Sequence, residues 1–186
     1  MNRNEKLKKI GGGFIRLIIA NIACFMILLV YMFIYGKGVI VSFLTGLCTA
    51  GVVCGLLADY CLKFSEKVKS DVKYRGKDPD ANFGLTMGLV LMIPGLITAT
   101  VALLAYLNVI PRNYCAIYYI FNTYFVPLVD IPIHGFIGNP YKYNVWAIVI
   151  MYLVQLLIPF TTFITYKIGY NGVDVGEKIM YKGKDE

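Results

Sequence analysis

Four apolar runs, each about 20 residues or longer, dominate this chain: 14–35, 38–62, 84–107 and 145–166. A helix needs about 20 apolar residues to cross the hydrocarbon core of a bilayer. In lipid each backbone polar group must be satisfied within the segment, so the spans are expected to be helices. Only Gly36 and Lys37 separate the first two runs, which predicts a tight helical hairpin. The expected fold is therefore an all-α integral membrane protein of four transmembrane helices, with 1–186 forming one membrane domain.

Composition agrees with the runs. Charged residues make up 16% of the chain and hydrophobic residues 58%, against about 25% and 45–50% in soluble domains. The basic N-terminal stretch MNRNEKLKK resembles the start of a signal peptide. The apolar run behind it is too long, and no small-x-small cleavage site follows, so it reads as a retained span.

The net charge of +7 belongs to residues that flank the spans. Nucleic acid is not an expected partner. Of eighteen Lys and Arg, fifteen fall on one side of the four-span arrangement; only Lys37, Arg112 and Lys142 fall on the other. The positive-inside rule then places both termini in the cytoplasm. It also makes anionic headgroups of the inner leaflet a natural partner. The expected location is the cell membrane, as a multi-pass protein of a bacterial plasma membrane.

The connection 108–144 then faces outward. It is long, and long loops are often functional. Its stretch RNYCAIYYIFNTYFVP is rich in aromatic residues, which favour the membrane–water boundary. Residues 112–126 are expected to form a helix lying in or dipping into the outer interface, ended by Pro127 and Pro132. A fifth span across 113–133 is the competing reading. It would carry the lysines of the tail outside, against the charge rule.

The same loop holds the only histidine, His134, four residues after Asp130. Together they form a possible outer-loop site. Pro132 between them argues against a shared helical face, and a catalytic zinc needs three protein ligands. No metal site and no cofactor is expected. A Ser-His-Asp arrangement would have to recruit Ser42, near the outer end of the second span, and no G-x-S-x-G surrounds that residue. Five cysteines occur without a C-x-x-C pair and read as packing residues, with no disulfide expected.

Within the spans, Gly38, Ser42, Gly46, Ala50, Cys54 and Ala58 recur every four residues, with Gly51 and Gly55 beside them. The third span opens with Gly84 and Gly88. Small residues let helix backbones approach closely in lipid. Gly46, Ala50, Gly51, Gly55, Gly84 and Gly88 are thus expected to pack the second span against the third, or to form a seam between two copies.

Ionisable residues are absent from the span centres, which argues against an ion-driven pump. Pro94 and Pro159 predict kinks at similar depth. Asn21, Thr98 and Gln155 could line a polar cavity opened by those kinks. Lys63 to Tyr74 is expected to prolong the second span as a charged helix. Asp174 with Glu177 reads as a capping box for a short tail helix.

The segment YRGKDPD ahead of a G-x-x-x-G span, and the tail YKIGYNGVDVGEKIMYK, resemble features of small four-pass integral membrane proteins of Gram-positive bacteria. The resemblance spans about the last two-thirds of the chain and implies no activity and no site. The leading functional expectation is a non-enzymatic membrane subunit or accessory protein, working with a membrane protein partner or as a homo-oligomer. A small oligomeric transporter or channel using the Asn21/Gln155 layer is the alternative. A membrane enzyme using Asp130 and His134 at the outer face is the second alternative.

Overall fold

The computed structural model describes residues 3–34, 39–75, 80, 82–131 and 144–171. Among these the regular structure is all helical. Four helices are long and apolar enough to cross a membrane. They are α1 (Arg3–Ile34), α2 (Val39–Arg75), α3 (Phe83–Tyr106) and a fourth interrupted helix. The fourth consists of α6 (Val145–Leu153), a 3-10 turn Val154–Leu156 and α7 (Leu157–Asn171). Two further short helices, α4 (Ala116–Phe121) and α5 (Val126–Asp130), follow a 3-10 turn at Arg112–Cys115.

α2 runs through KFSEKVKSDVKY without a break, so the charged segment does continue the second span. The turn between the first two spans, the tail with Asp174 and Glu177, and Pro132, His134 and Lys142 lie outside the described residues.

α7 lies at the centre of one half of the bundle and packs on both α2 and α3, while α1 packs on α2 and touches α3. Among the described residues α2 and α3 do not pack along each other, contrary to the small-residue expectation. The reason is on the glycine faces. A side chain at Gly84 would meet Tyr166 and the Thr162 carbonyl, and one at Gly88 would meet Thr162 and Pro159. The small face of α3 therefore receives α7. On α2, a strict four-residue ridge drifts by about 40° per step around a helix of 3.6 residues per turn. Ser42, Gly46 and Ala50 are buried, but the buried face then continues through Val53, Leu57, Cys61 and Phe64. Gly51 and Gly55 point away from the bundle, with no atom within 4 Å of where a Cβ would stand.

The other half of the bundle is built differently. There α6 packs on α3 and α5, while α5 packs on α2. The segment from Arg112 to Ile131 forms a hairpin that wedges the fourth helix away from α2. Its entry is set by the end of α3. Asn108 takes φ 57°, a left-handed conformation that asparagine tolerates better than most residues. Asn108 N–H donates to Ala105 O and Val109 N–H to Leu104 O, the two bonds of a Schellman stop. Its side chain then accepts from Arg112 Nε at 3.0 Å. At the return, Asn144 caps α6 by accepting from Ala147 N at 2.9 Å.

Two apolar cores result. One gathers Cys24, Val53, Leu57, Met87, Ile158 and Tyr166, and the hairpin tip adds Tyr124 and Phe125 to it. The other joins Ala99, Ala102, Tyr118, Val129, Ala147 and Met151 around the hairpin arms. The cysteines form no disulfide; Cys24, Cys61 and Cys115 are buried and Cys48 is exposed.

Candidate functional site: a polar hub at the hairpin tip

The tip of the hairpin, Asn122 to Phe125, is not regular helix, yet it is almost completely buried. At about 1.5 Å per residue, the Thr98 beside it lies about 12 Å from the end of α3 at Tyr106. Gln155, also beside it, lies about 15 Å from the start of α6 at Val145. Buried irregular backbone inside a helical bundle needs protein groups to satisfy its N–H and C=O. The structure supplies those groups in two sets.

Asn21 of α1 forms the first. Its Nδ2 donates to Ile120 O at 2.7 Å, and its Oδ1 accepts from Thr123 N at 3.0 Å. One amide thus bonds both a carbonyl near the end of α4 and an N–H of the turn that follows it. Within the tip, Thr123 Oγ1 donates to Tyr119 O at 3.0 Å and Phe125 N to Asn122 O at 2.8 Å.

Asn122 forms the second. Its Nδ2 donates to Thr98 Oγ1 at 2.7 Å and to Tyr118 O at 3.1 Å. Its Oδ1 accepts from Gln155 Nε2 at 3.0 Å. Thr98 passes its own proton to the carbonyls of Gly95 and Pro94, at 2.9 and 3.1 Å. Gln155 and Asn122 are fully buried and Thr98 nearly so. The result is a chain of hydrogen bonds from the 3-10 turn of the fourth helix, across the hairpin tip, to the Pro94 and Gly95 carbonyls of α3. Gln155 Oε1 rests against Gly95, where a Cβ would overlap it, and has no hydrogen-bond partner among the described residues.

The three residues expected to line a cavity are therefore brought to one level, around one space. The hairpin occupies that space, with Asn21 on one side of it and Thr98 and Gln155 on the other. A groove of about 270 Å³ remains on the flank of α1, between Ile22, Phe25, Leu28, Tyr119 and Ile120, with Asn21 and Thr123 at its floor. Asn122 itself escaped sequence reasoning because it stands outside the apolar spans. Its signal was an adjacent amide and hydroxyl, Asn122-Thr123, in the middle of the apolar run AIYYIFNTYFVP.

Asp130 belongs to a third set near the far ends of α1 and α2. Tyr31 Oη donates to Asp130 Oδ2 at 2.9 Å and lies 2.6 Å from Ser42 Oγ. All three are buried. The return arm of the hairpin is thus fastened to both α1 and α2, and Leu128 lies over Gly46, where any side chain would collide with it. Ser42 does come near Asp130, but through the Tyr31 hydroxyl, and His134 is outside the described residues. Among the described residues no three metal-ligating side chains come together.

The charged residues gather at the opposite end, where α1 begins and α7 ends. Lys6 pairs with Asp80 at 2.6 Å, and Lys63 with Asp59 at 2.7 Å. Tyr166 Oη donates to Asp80 O at 2.7 Å, which anchors the start of α3 to α7.

No protein-family model matches the chain, and neither a curated protein nor a solved structure matches it.

Proposed function

We propose that this chain is a non-enzymatic integral membrane subunit, inserted in a bacterial plasma membrane with both termini in the cytoplasm, that works by assembling with another membrane protein or with itself. The observation that carries this reading is the outward face of α2. Among the described residues no other group lies within 4 Å of where a Cβ at Gly51 or Gly55 would stand, and exposed Leu44, Leu47 and Cys48 lie beside them. In lipid a G-x-x-x-G face gains most from a close helix partner, and this face has none within the described chain. The interior points the same way: Asn21, Thr98 and Gln155 already bond the protein's own hairpin. In this reading the hairpin enters the bilayer from the outer side and returns to it. The partner surface is apolar, and nucleic acid has no part in it.

A second reading, passage of a small polar solute, has its own support. A hairpin that reaches mid-bundle beside an interrupted helix is a feature of transporter sites. The Gln155 acceptor at that interruption has no donor among the described residues, and orphaned buried groups ask for an explanation.

Gentle extraction followed by mass spectrometry, with flux measured in liposomes holding the purified protein alone, separates the two. The assembly reading expects a reproducible stoichiometric partner or self-association that Gly51→Leu with Gly55→Leu abolishes, without loss of monomer stability. Saturable flux from the protein alone, reduced by Gln155→Leu and untouched by the glycine changes, would sink it.

A further inference from the structure

The basic end of the bundle contains an ordered cluster of cations that the ion pairs leave unmatched. On α1, Lys9, Gly12 and Arg16 are spaced three and four residues apart and share a face. On α2, Tyr60, Phe64 and Lys67 do the same. These faces meet. Tyr60 Oη donates to Lys9 O at 2.9 Å, and the Tyr60 ring lies where a side chain at Gly12 would have to go. Lys9 Nζ stands 5.4 Å from the Phe64 ring centre, and the Arg16 guanidinium 5.9 Å from that of Tyr60. The two rings are 5.5 Å apart, so two cations are held over adjacent rings.

Lys6 pairs with Asp80 and Lys63 with Asp59 at this end, and neither pair includes Lys9 or Arg16. The Lys9 ammonium is held below its ordinary range by burial first, then by the charges of Lys67 and Lys8, against weaker opposing pulls from Glu5 and Asp71. An anion seated beside it would relieve that repulsion. Farther along α1 the exposed surface turns apolar, with Ile19 about 60° and Ile15 about 100° around the helix from Arg16. Positive charge above a lipid-facing apolar strip is complementary to a molecule with a phosphate at its head and acyl chains below.

We propose that Lys9 and Arg16 form a seat for the headgroup phosphate of one anionic phospholipid, whose acyl chains run along α1 past Ile19 and Ile15. This rests on the reading that the basic end of the bundle lies at headgroup level.

The test is native mass spectrometry of the full chain released from nanodiscs of phosphatidylcholine with and without phosphatidylglycerol. The intact protein should retain phosphatidylglycerol above its share of the mixture. Lys9→Gln and Arg16→Gln should each lower that enrichment about fivefold, the equivalent of about 1 kcal/mol per cation near a lipid surface. Arg16→Lys should keep most of it. Lys167→Gln should leave it unchanged, because Lys167 stands over Phe163 on α7. Equal losses in all three glutamine variants would overturn the seat in favour of diffuse attraction, and would leave the headgroup-level reading standing. Displacement of the lipid by dissolved glycerol phosphate would overturn it in favour of a soluble phosphate. No enrichment in the unaltered protein would overturn it as well, and quenching of a probe at position 9 by headgroup-labelled lipid would then report separately whether this end lies at headgroup level.

Discussion

Gln155 Nε2 donates to Asn122 Oδ1 at 3.0 Å, with both side chains fully buried. This bond ties the interruption of the fourth helix to the tip of the hairpin. The 3-10 turn at Val154–Leu156 falls where Pro159 has no N–H to offer the Gln155 carbonyl four residues back, and the Gln155 side chain turns to the hairpin at that point. Mid-helix 3-10 turns often mark such sites.

Asn122→Leu should destabilise the protein by about 1–3 kcal/mol, the cost of leaving a buried donor such as Gln155 Nε2 without an acceptor. Thr100→Val serves as the comparison. Thr100 also bonds another helix, through Tyr152 Oη at 3.0 Å, but on the exposed surface, so its loss should stay within about 0.5 kcal/mol. Thermal unfolding in one detergent checks the pair, and equal midpoints would remove the hub.

The glycines should divide by sign. Gly88→Ala must displace Thr162 or the Pro159 backbone, and overpacking costs about 1–3 kcal/mol. Gly51→Ala and Gly55→Ala meet open space and gain helix propensity, up to about 1 kcal/mol. Denaturant midpoints that rank Gly51→Ala below Gly88→Ala would contradict the packing of α3 on α7.

Asn21 and Tyr31 fasten the hairpin to α1 at two separate points, about 15 Å apart along the helix at about 1.5 Å per residue. Asn21→Leu and Tyr31→Phe should each cost about 1–3 kcal/mol. At that separation the double variant should equal the sum within about 0.5 kcal/mol. A strong shortfall from additivity in chemical unfolding would show that the hairpin is released as a whole by either change.

Much of this architecture was legible in the sequence because its cause is local. Apolar runs of spanning length need no tertiary information, and α1, α2, α3 and the fourth helix follow them. The small face of α3 was legible too, but its partner was not: Gly84 and Gly88 fit any close helix, and only the fold brings Thr162 and Pro159 to them. Gly51 and Gly55 looked like the neighbouring ridge residues, yet a rotation of about 100° per residue carries them to the outside. The hairpin was the least legible part. Its aromatic residues suit an interfacial helix as well as a buried one. What buries them is a set of amides on other elements, Asn21 and Gln155, that sequence reasoning had placed at one depth without a common partner. Asn122, the missing partner, lies in what reads from the sequence as an interfacial helix.

The central claim is that the hairpin folds into the bundle and does not lie across its surface. The most direct measurement is disulfide trapping in a cysteine-free background with Gly46→Cys and Leu128→Cys, residues that touch across α2 and α5. The account predicts rapid cross-linking of this pair under mild oxidation and none for Gly51→Cys with Leu128→Cys, with position 128 closed to a membrane-impermeant thiol reagent. No cross-link at 46–128, together with ready labelling of position 128 from the aqueous side, would contradict it.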